Sequence, residues 1–438
     1  MASTKITRTS AISSEKKLTI STWIKRSYIG EEALIGNTAT GSNWAMFYFN
    51  GNNNLQFASY INSSYVVRVT TNRKFNDVGA WYHLQATLDV SLGTPEAKIY
   101  VNGEEQTDLA YNVQPSQNAN TGWFYDWNFE VGVMFGSSYY LNGCLADTYY
   151  IQGYVYPPST FGETDATTGE WKPVLNPTIN YGGNGGNSCH LKFENSANMD
   201  LDSGDNNLTF TTSGTLTQTQ DSPSNVFATL NPLLQSGIGT LTNGNLSHAS
   251  SSGIKHIAST LGMTSGKFYA EAKYTGGGNY NGVGIITEDA FSTTSNWYST
   301  TNGALLYYTD VYSGGNTYGT FATPSTGDII GIALDLDNGY MYLSNNGTWG
   351  NSGDPTSGSS GTGGIATSLI GTLGTDTFFF ASEQDATSGT RGADWNFGNG
   401  FYGTTQISSE GTNASGIGKF EYDVPTGYTA LSTKGLNE

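Results

Sequence analysis

Charged residues are scarce in this sequence: they make up 12 % of its 438 positions, against about 25 % in typical soluble domains. Lys, Arg and Glu, which favour helix surfaces, are therefore rare. Only 18 basic residues face 36 acidic ones, so the formal net charge is −18. No basic stripe offsets this field, so a duplex nucleic acid would be repelled and no nucleic-acid partner is expected; an anionic membrane surface is an equally poor partner.

Cysteines and long apolar runs are also lacking. The only two cysteines, Cys144 and Cys189, exclude a disulfide scaffold; we expect two reduced, packed thiols, with a single bridge as the alternative. No run approaches about 18 consecutive apolar residues, so no membrane insertion is expected. The N-terminal residues lack the apolar core of a secretory signal. We therefore expect synthesis in a cytoplasm without export by the general secretory route.

Glycines and aromatic residues are abundant, with 57 Gly, 28 Tyr, 20 Phe and 9 Trp. Many short segments alternate apolar and polar residues and end in Gly or Asn turns, as in 97–103 (AKIYVNG). Such spacing of strands and turn signals is typical of a sandwich or barrel. The sequence predicts an all-β protein made of two tandem antiparallel β-sandwich, or jelly-roll, domains.

The domain boundaries follow from changes in composition. Residues 1–160 contain at least seven predicted strands and form the first sandwich, and residues 226–438 form the second. Residues 161–225 form a connector. Its segments 190–194 and 208–212 are predicted strands that we assign to the first sandwich, although they fit a bridge between the domains as well.

The two halves resemble two known families. The first half is similar to the laminin G-like, concanavalin A-like family in residues 18–26 (LTISTWIKR), 80–84 (AWYHL), 97–103 (AKIYVNG) and 141–152 (LNGCLADTYYIQ). The second half is similar to the SPRY family in residues 264–272 (TSGKFYAEA), 283–286, 327–342 (GDIIGIALDLDNGYMY) and 395–398 (WNFG). These resemblances imply a laminin G-like sandwich followed by a SPRY-like sandwich.

A narrower resemblance lies in the connector. Residues 161–174 (FGETDATTGEWKPV), 190–212 and 221–233 (DSPSNVFATLNPL) resemble a group of marine bacteriophage structural proteins that carry these domains in this order. The resemblance implies a place on the virion surface after synthesis in the host cytoplasm. It also implies other virion proteins as partners, and a homo-oligomer, with a trimer as one candidate.

Because glucanases share the concanavalin A-like fold, paired carboxylates are the catalytic groups to look for in this sequence. A retaining glycosidase needs two carboxyl groups about 5–5.5 Å apart. Glu163 and Asp165 have alternate spacing, but the surrounding Gly, Thr and Pro indicate a turn. His83 lies in a predicted core strand, where a packed histidine is expected. No catalytic residue is predicted, and the protein is expected not to be an enzyme.

Binding residues are easier to nominate. Trp123, Tyr125 and Trp127 alternate and could share one strand face as a sugar-stacking surface, or pack in an oligomer interface. Asp200, Asp202 and Asp205 supply oxygen ligands that suit Ca²⁺, or form a solvated turn. In the second domain, Trp297 and Tyr298 lie in or near a predicted loop and could contact a ligand, or pack in the core or between subunits. Calcium is the one candidate cofactor.

The sequence is compatible with three functions. The first is a non-catalytic virion-surface protein, such as a tail fibre, receptor-binding protein or capsid-attached decoration protein, which adheres to a glycan or host surface. The second is a purely structural capsid or tail component without a host ligand. The third is a glycan depolymerase, which would need a cleft with paired carboxylates that the sequence does not reveal.

Overall fold

The computed structural model describes residues 4–182, 186–234, 237–276, 281–292, 296–387 and 389–437. Its contacts divide the chain into two compact units, residues 1–218 and 219–438. Within the described ranges the regular structure is almost entirely β, and no helix is long and apolar enough to cross a membrane. The short 3-10 helices are Gly122–Phe124, Pro158–Thr160, Glu288–Ser292, Trp297–Ser299, Gly358–Ser360, Thr367–Leu369 and Gly435–Asn437.

The strands of the first unit form two large antiparallel sheets and a small hairpin. They are β1 (Lys5–Thr9), β2 (Lys17–Arg26), β3 (Glu32–Thr40), β4 (Asn43–Phe49), β5 (Asn54–Ile61), β6 (Ser64–Lys74), β7 (Trp81–Asp89), β8 (Glu96–Val101), β9 (Glu104–Glu105), β10 (Leu109–Val113), β11 (Asn128–Val131), β12 (Gly143–Gln152), β13 (Gly162–Thr164), β14 (Trp171–Pro173), β15 (Cys189–Leu191) and β16 (Thr211–Ser213). The larger sheet has the order β10-β6-β5-β4-β3-β11-β1-β16, and the smaller has the order β15-β12-β2-β7-β8-β9.

Period-two alternation builds the core between these sheets. In β4 the side chains of Ala45, Phe47 and Phe49 enter the core, where they join inward residues of the smaller sheet such as Ile20 and Leu84. The turn after β8 has positive φ angles of 48° at Asn102 and 84° at Gly103, as a two-residue hairpin turn requires. The connector strands β15 and β16 pair with β12 and β1 respectively, so both belong to the sheets of the first unit.

The connector also covers the outer face of the smaller sheet. Trp171 of β14 stacks on His83 with ring centroids 6.1 Å apart, and its Nε1–H donates to His83 Nδ1 at 3.2 Å. A second bond links His83 Nε2 and Ser21 Oγ at 2.8 Å. Because His83 is fully buried, its pKa falls to about 3 and the ring is neutral at pH 7. This is the packed histidine that the sequence predicts.

The second unit repeats the two-sheet plan. Its strands are β17 (Thr240–Thr242), β18 (Ser247–Ser250), β19 (Ile254–Ala258), β20 (Lys267–Gly276), β21 (Asn281–Thr287), β22 (Gly303–Tyr307), β23 (Asp310–Ser313), β24 (Asn316–Tyr318), β25 (Ile329–Asp335), β26 (Tyr340–Asn345), β27 (Thr348–Trp349), β28 (Ile365–Ala366), β29 (Phe378–Asp385), β30 (Arg391–Asn396), β31 (Phe401–Tyr402), β32 (Thr405–Gln406) and β33 (Thr429–Ala430). One sheet runs β17-β18-β30-β20-β25-β26-β27, with β28 and β33 added to β26 and β20, and the other runs β19-β29-β21-β22-β23-β24.

Candidate ligand-binding site

The predicted aromatic row in the first unit is only partly present. Gly122–Phe124 form a 3-10 turn rather than a strand, and this turn directs Trp123 into the core. There its ring stacks on Phe57 at 5.1 Å, fully buried. The expectation that Trp123, Tyr125 and Trp127 share one exposed face is therefore wrong. Tyr125 and Trp127 do stack on each other, with centroids 4.7 Å apart and planes 12° apart, and both stay half-buried.

Trp297 and Tyr298, the two candidate binding residues of the second unit, also differ in burial. Trp297 is completely buried, and its backbone N–H donates to the Glu383 carboxylate at 2.5 Å. A ligand cannot stack on this ring, so Trp297 is corrected to a core residue. Tyr298 is half-buried and makes edge contacts with Tyr307 at 5.0 Å and Tyr312 at 6.1 Å.

The three aspartates nominated for calcium do not converge. Asp202 is buried, and its two carboxylate oxygens accept three backbone N–H groups, from residues 190, 204 and 208, at 2.8–3.0 Å. Asp200 accepts the Thr212 hydroxyl at 2.7 Å, and Asp205 is exposed. No group of three His, Cys, Asp or Glu residues that could hold a metal occurs among the residues that the structure describes. The arrangement fits the turn alternative better than a calcium site.

The carboxylates of Glu163 and Asp165 in the β13–β14 hairpin contact groups within the same hairpin. Asp165 accepts the backbone N–H groups of Thr167 and Thr168 at 2.8 and 3.0 Å, together with Lys172 Nζ at 3.0 Å. These bonds lower the pKa of Asp165 below its usual range. Glu163 lies 3.6 Å from the same Lys172 ammonium. Both carboxylates therefore stabilise the β13–β14 turn, as the sequence predicts.

The larger sheet of the first unit carries an aromatic surface that the sequence analysis did not nominate. It lies on the face of the sheet that points away from the core, and we call it the aromatic face. Its members are Trp44, Tyr48, Tyr60, Tyr65 and Tyr111. Trp44 stacks on Tyr60 at 5.3 Å, and Tyr65 meets both rings edge-on, at 6.0 Å from Trp44 and 4.8 Å from Tyr60.

Strand register explains why these rings meet. Trp44 pairs with Tyr60 across β4 and β5, and Tyr60 pairs with Tyr65 across β5 and β6. Directly opposed side chains on one sheet face lie about 4.5–5.5 Å apart at Cβ, so aromatic rings in such a row are in contact. Exposure increases towards the sheet edge: Trp44 is 7 % exposed, Tyr60 and Tyr65 are half-buried, and Tyr111 on edge strand β10 is 49 % exposed.

One cation lies within the aromatic face. The guanidinium carbon of Arg68 lies 3.5 Å from the Tyr111 ring centroid and 4.6 Å from that of Tyr65. Its Nε donates to Gln56 Oε1 at 3.4 Å, and Gln56 Nε2 donates to the Tyr48 hydroxyl at 2.6 Å. The sheet therefore fixes the position of a cation between two aromatic rings.

A sequence signal for this surface exists. Residues 44–49 (WAMFYF) are apolar or aromatic at every position, whereas a strand with one solvated face alternates with polar residues. The alternate set Trp44, Met46 and Tyr48 therefore needs a second apolar environment outside the core. Met134 and the partly buried Phe135 provide part of it by packing against this side of the sheet.

Comparison with known proteins gives one family match. A laminin G family model, described as the concanavalin A-like lectin/glucanases superfamily, matches residues 2–152. No curated protein matches the sequence. Residues 2–152 of the first unit are thus similar to laminin G-like, concanavalin A-like domains.

Several solved structures are similar to parts of the chain. The SPRY domain of human HERC1 is 15 % identical, with 38 % of this chain and 96 % of that chain covered and a TM-score of 0.28. The TRIM65 PSpry domain is 11 % identical, with 39 % and 91 % covered and a TM-score of 0.29. The heptameric SAP-like pentraxin of Limulus polyphemus is 15 % identical, with 35 % and 71 % covered and a TM-score of 0.26. The sheets of each unit, rather than these similarities, confirm the predicted all-β class of two tandem antiparallel sandwiches.

Proposed function

We propose that this protein is a non-catalytic adhesion protein of the bacteriophage virion surface, which binds glycans through the aromatic face of its first domain. The observation that carries the binding proposal is the group of accessible rings Tyr60, Tyr65 and Tyr111 around Arg68. The buried Trp44 and Tyr48 support these rings from within the same face of the larger sheet. Aromatic rings offer apolar area at little conformational cost, while Arg68 supplies polar contacts.

The virion setting has a separate basis, which is the resemblance of the connector segments to marine bacteriophage structural proteins. The surface location, the other virion proteins as partners and the homo-oligomeric state all belong to this part of the proposal. Multiple copies on a particle would suit a shallow site, because weak contacts repeated over many copies give strong attachment. A tail fibre and a capsid decoration protein satisfy this reasoning equally.

The binding proposal is tested with the purified full chain on an array of bacterial and algal surface glycans, with Tyr111→Ala as the test variant. We expect Tyr111→Ala to weaken glycan binding by about two- to tenfold, the contribution of one aromatic contact. Tyr28→Ala is the matched control, because Tyr28 is also 49 % exposed but lies outside the aromatic face. Equal weakening by both variants, or no glycan binding by the parent chain, would contradict the proposal.

Two further measurements separate the alternative functions. Immunogold labelling of intact particles with an antibody to the chain should mark the virion surface, and unlabelled particles would refute the virion assignment. Incubation with the bound glycan should release no reducing sugar. If sugar is released and one carboxylate pair proves essential for the release, the protein is a depolymerase instead.

A further inference from the structure

The aromatic face contains a cation whose hydrogen-bonding capacity is largely unused. Arg68 has five N–H donors, and the structure gives one hydrogen bond for them, the long bond of Nε to Gln56. No carboxylate forms an ion pair with Arg68 in the described part of the chain. In a chain with twice as many acidic as basic residues, this leaves an ion-pairing position open to a ligand.

From this geometry we infer that the aromatic face selects an acidic glycan, in which a sugar carboxylate binds to Arg68. The inference rests on the proposed glycan-binding function and adds the chemical class of the sugar. Guanidinium groups bind carboxylates through two parallel N–H···O bonds, and such charge-assisted bonds are roughly twice as strong as neutral ones.

The rings that pack against Arg68 do not occupy its N–H donors. Tyr111, 3.5 Å away, and Tyr65, 4.6 Å away, contact the guanidinium through their ring faces. All five N–H groups point outward in the plane of the guanidinium, so contacts with ring faces do not consume them. The Nη donors therefore remain available to a carboxylate.

Gln56 holds this arrangement in place. Its Oε1 accepts both Arg68 Nε and the Thr70 hydroxyl, the latter at 2.9 Å, while its Nε2 donates to Tyr48. A positioned cation loses little side-chain entropy when a ligand binds. Tyr111 is the most exposed ring of the face, so it offers a surface on which a sugar next to Arg68 can pack.

Acidic residues around this sheet form their contacts with groups other than Arg68. Asp108, three residues before Tyr111, accepts Asn72 Nδ2 at 2.6 Å. Glu130 is buried on the same sheet, where it accepts the Thr38 hydroxyl at 2.7 Å. Burial raises the pKa of Tyr48 most, and the neighbouring Tyr65 and Glu31 raise it further. The net charge of −18 repels an anionic glycan at long range, but this repulsion is screened beyond about 8 Å at physiological ionic strength. The contact with Arg68 acts at shorter range.

The test is calorimetric titration of the full chain with oligomers of galacturonate, hyaluronan and polysialic acid. Each oligomer is compared with its neutral, carboxyl-reduced form and with a sulfated oligosaccharide of equal length. At least one carboxylated oligomer should bind about tenfold or more tightly than its reduced form. Arg68→Gln should abolish this preference, which corresponds to the loss of a charged hydrogen-bonded contact. Arg68→Lys should restore part of it, because an ammonium lacks the planar donor pair.

Arg73→Gln is the matched control, since Arg73 lies on the same strand but contacts Phe75 and Tyr82 instead. It should leave the preference intact. If acidic and reduced oligomers bind equally well, or if sulfated sugars are preferred to carboxylated ones, the inference is overturned while glycan binding stands. If no carbohydrate of either kind binds, the proposed function fails as well.

Discussion

Replacement of Glu383 by Gln should change how the stability of the second unit depends on pH. Glu383 is fully buried on β29, where its carboxylate accepts Trp297 N–H at 2.5 Å and the Tyr307 hydroxyl at 2.7 Å. Burial, with a smaller contribution from the Asp385 charge, raises the pKa of Glu383 from 4.5 to about 7. The nearest cation candidate, His256, is 3.7 Å away, but burial lowers its pKa to about 4 and leaves it neutral at pH 7.

The direction of the effect follows from proton binding. Below pH 4.5 Glu383 is protonated in both the folded and the unfolded chain. Between pH 4.5 and about 7 the folded chain keeps a proton that the unfolded chain releases, so stability falls as the pH rises. At about 1.4 kcal/mol for each pKa unit, the loss amounts to about 3 kcal/mol and is complete just above pH 7.

A glutamine at position 383 is neutral at every pH and imitates the protonated acid. Its oxygen can accept Trp297 N–H, and its amide can donate to the Tyr307 hydroxyl oxygen. The hydroxyl hydrogen can then turn to the backbone carbonyl of residue 383, which is 3.4 Å away. Glu383→Gln should therefore match the parent protein near pH 5 and exceed its unfolding free energy by about 3 kcal/mol at pH 8.

The assay is urea unfolding of the full chain at pH 5, 6, 7 and 8, read by hydrogen-exchange mass spectrometry of peptides from residues 281–307. Peptide-level detection keeps the second unit separate from the first. The difference between variant and parent isolates Glu383, because the buried histidines titrate in both proteins. Glu410→Gln is the control, because Glu410 is an exposed glutamate of the same unit whose charge does not contribute to the raised pKa of Glu383. Parallel stability profiles for the Glu383→Gln variant and the parent would refute the reasoning.

Three further substitutions test the packing of the two units. Glu271→Gln should cost about 2–4 kcal/mol at pH 8, because the Glu271 carboxylate accepts five hydrogen bonds and an amide cannot accept them all. Burial raises the pKa of Glu271, so the cost should shrink at low pH, and an unchanged urea midpoint at pH 8 would contradict this. Gly282→Ala should cost about 1–3 kcal/mol, because the added Cβ would lie 2.4 Å from the Tyr307 ring; thermal unfolding measures the loss, and an unchanged Tm would show that the ring moves freely. Trp171→Phe should cost about 1–2 kcal/mol, because the buried Nδ1 of His83 loses its donor; urea unfolding of the first unit at pH 7 checks this, and full stability would show that the bond is dispensable.

Predictions from the sequence succeeded where strand pattern and turn chemistry agree. The Asn102-Gly103 turn and the Asp165 turn depend on neighbours within a few residues, and each forms as predicted. The aromatic row failed for a related reason. Its alternate spacing predicts a strand, but a 3-10 turn at Gly122–Phe124 removes the period of two and turns Trp123 inward.

The exposure and neighbours of the candidate binding residues depend on contacts between residues far apart in the sequence, which local patterns do not reveal. Trp297 lies in a short 3-10 helix as an apolar residue between polar ones, and nothing local reveals that Glu383, 86 positions away, fixes its backbone. Arg68 and Tyr111 meet because β6 pairs with β10, although residues 75–108 lie between the two strands. A sequence pattern assigns each residue to a strand face, but it does not give the neighbouring strand.

The sequence by itself determined the all-β class, the tandem order of two sandwiches and the positions of many turns, because these follow from composition, period and local backbone preferences. Only the tertiary structure decided which aromatic residues are buried and which gather around Arg68. That outcome depends on strand order and register, which bring side chains from four separate strands onto one surface, and on the packing within each unit that removes Trp123 and Trp297 from solvent.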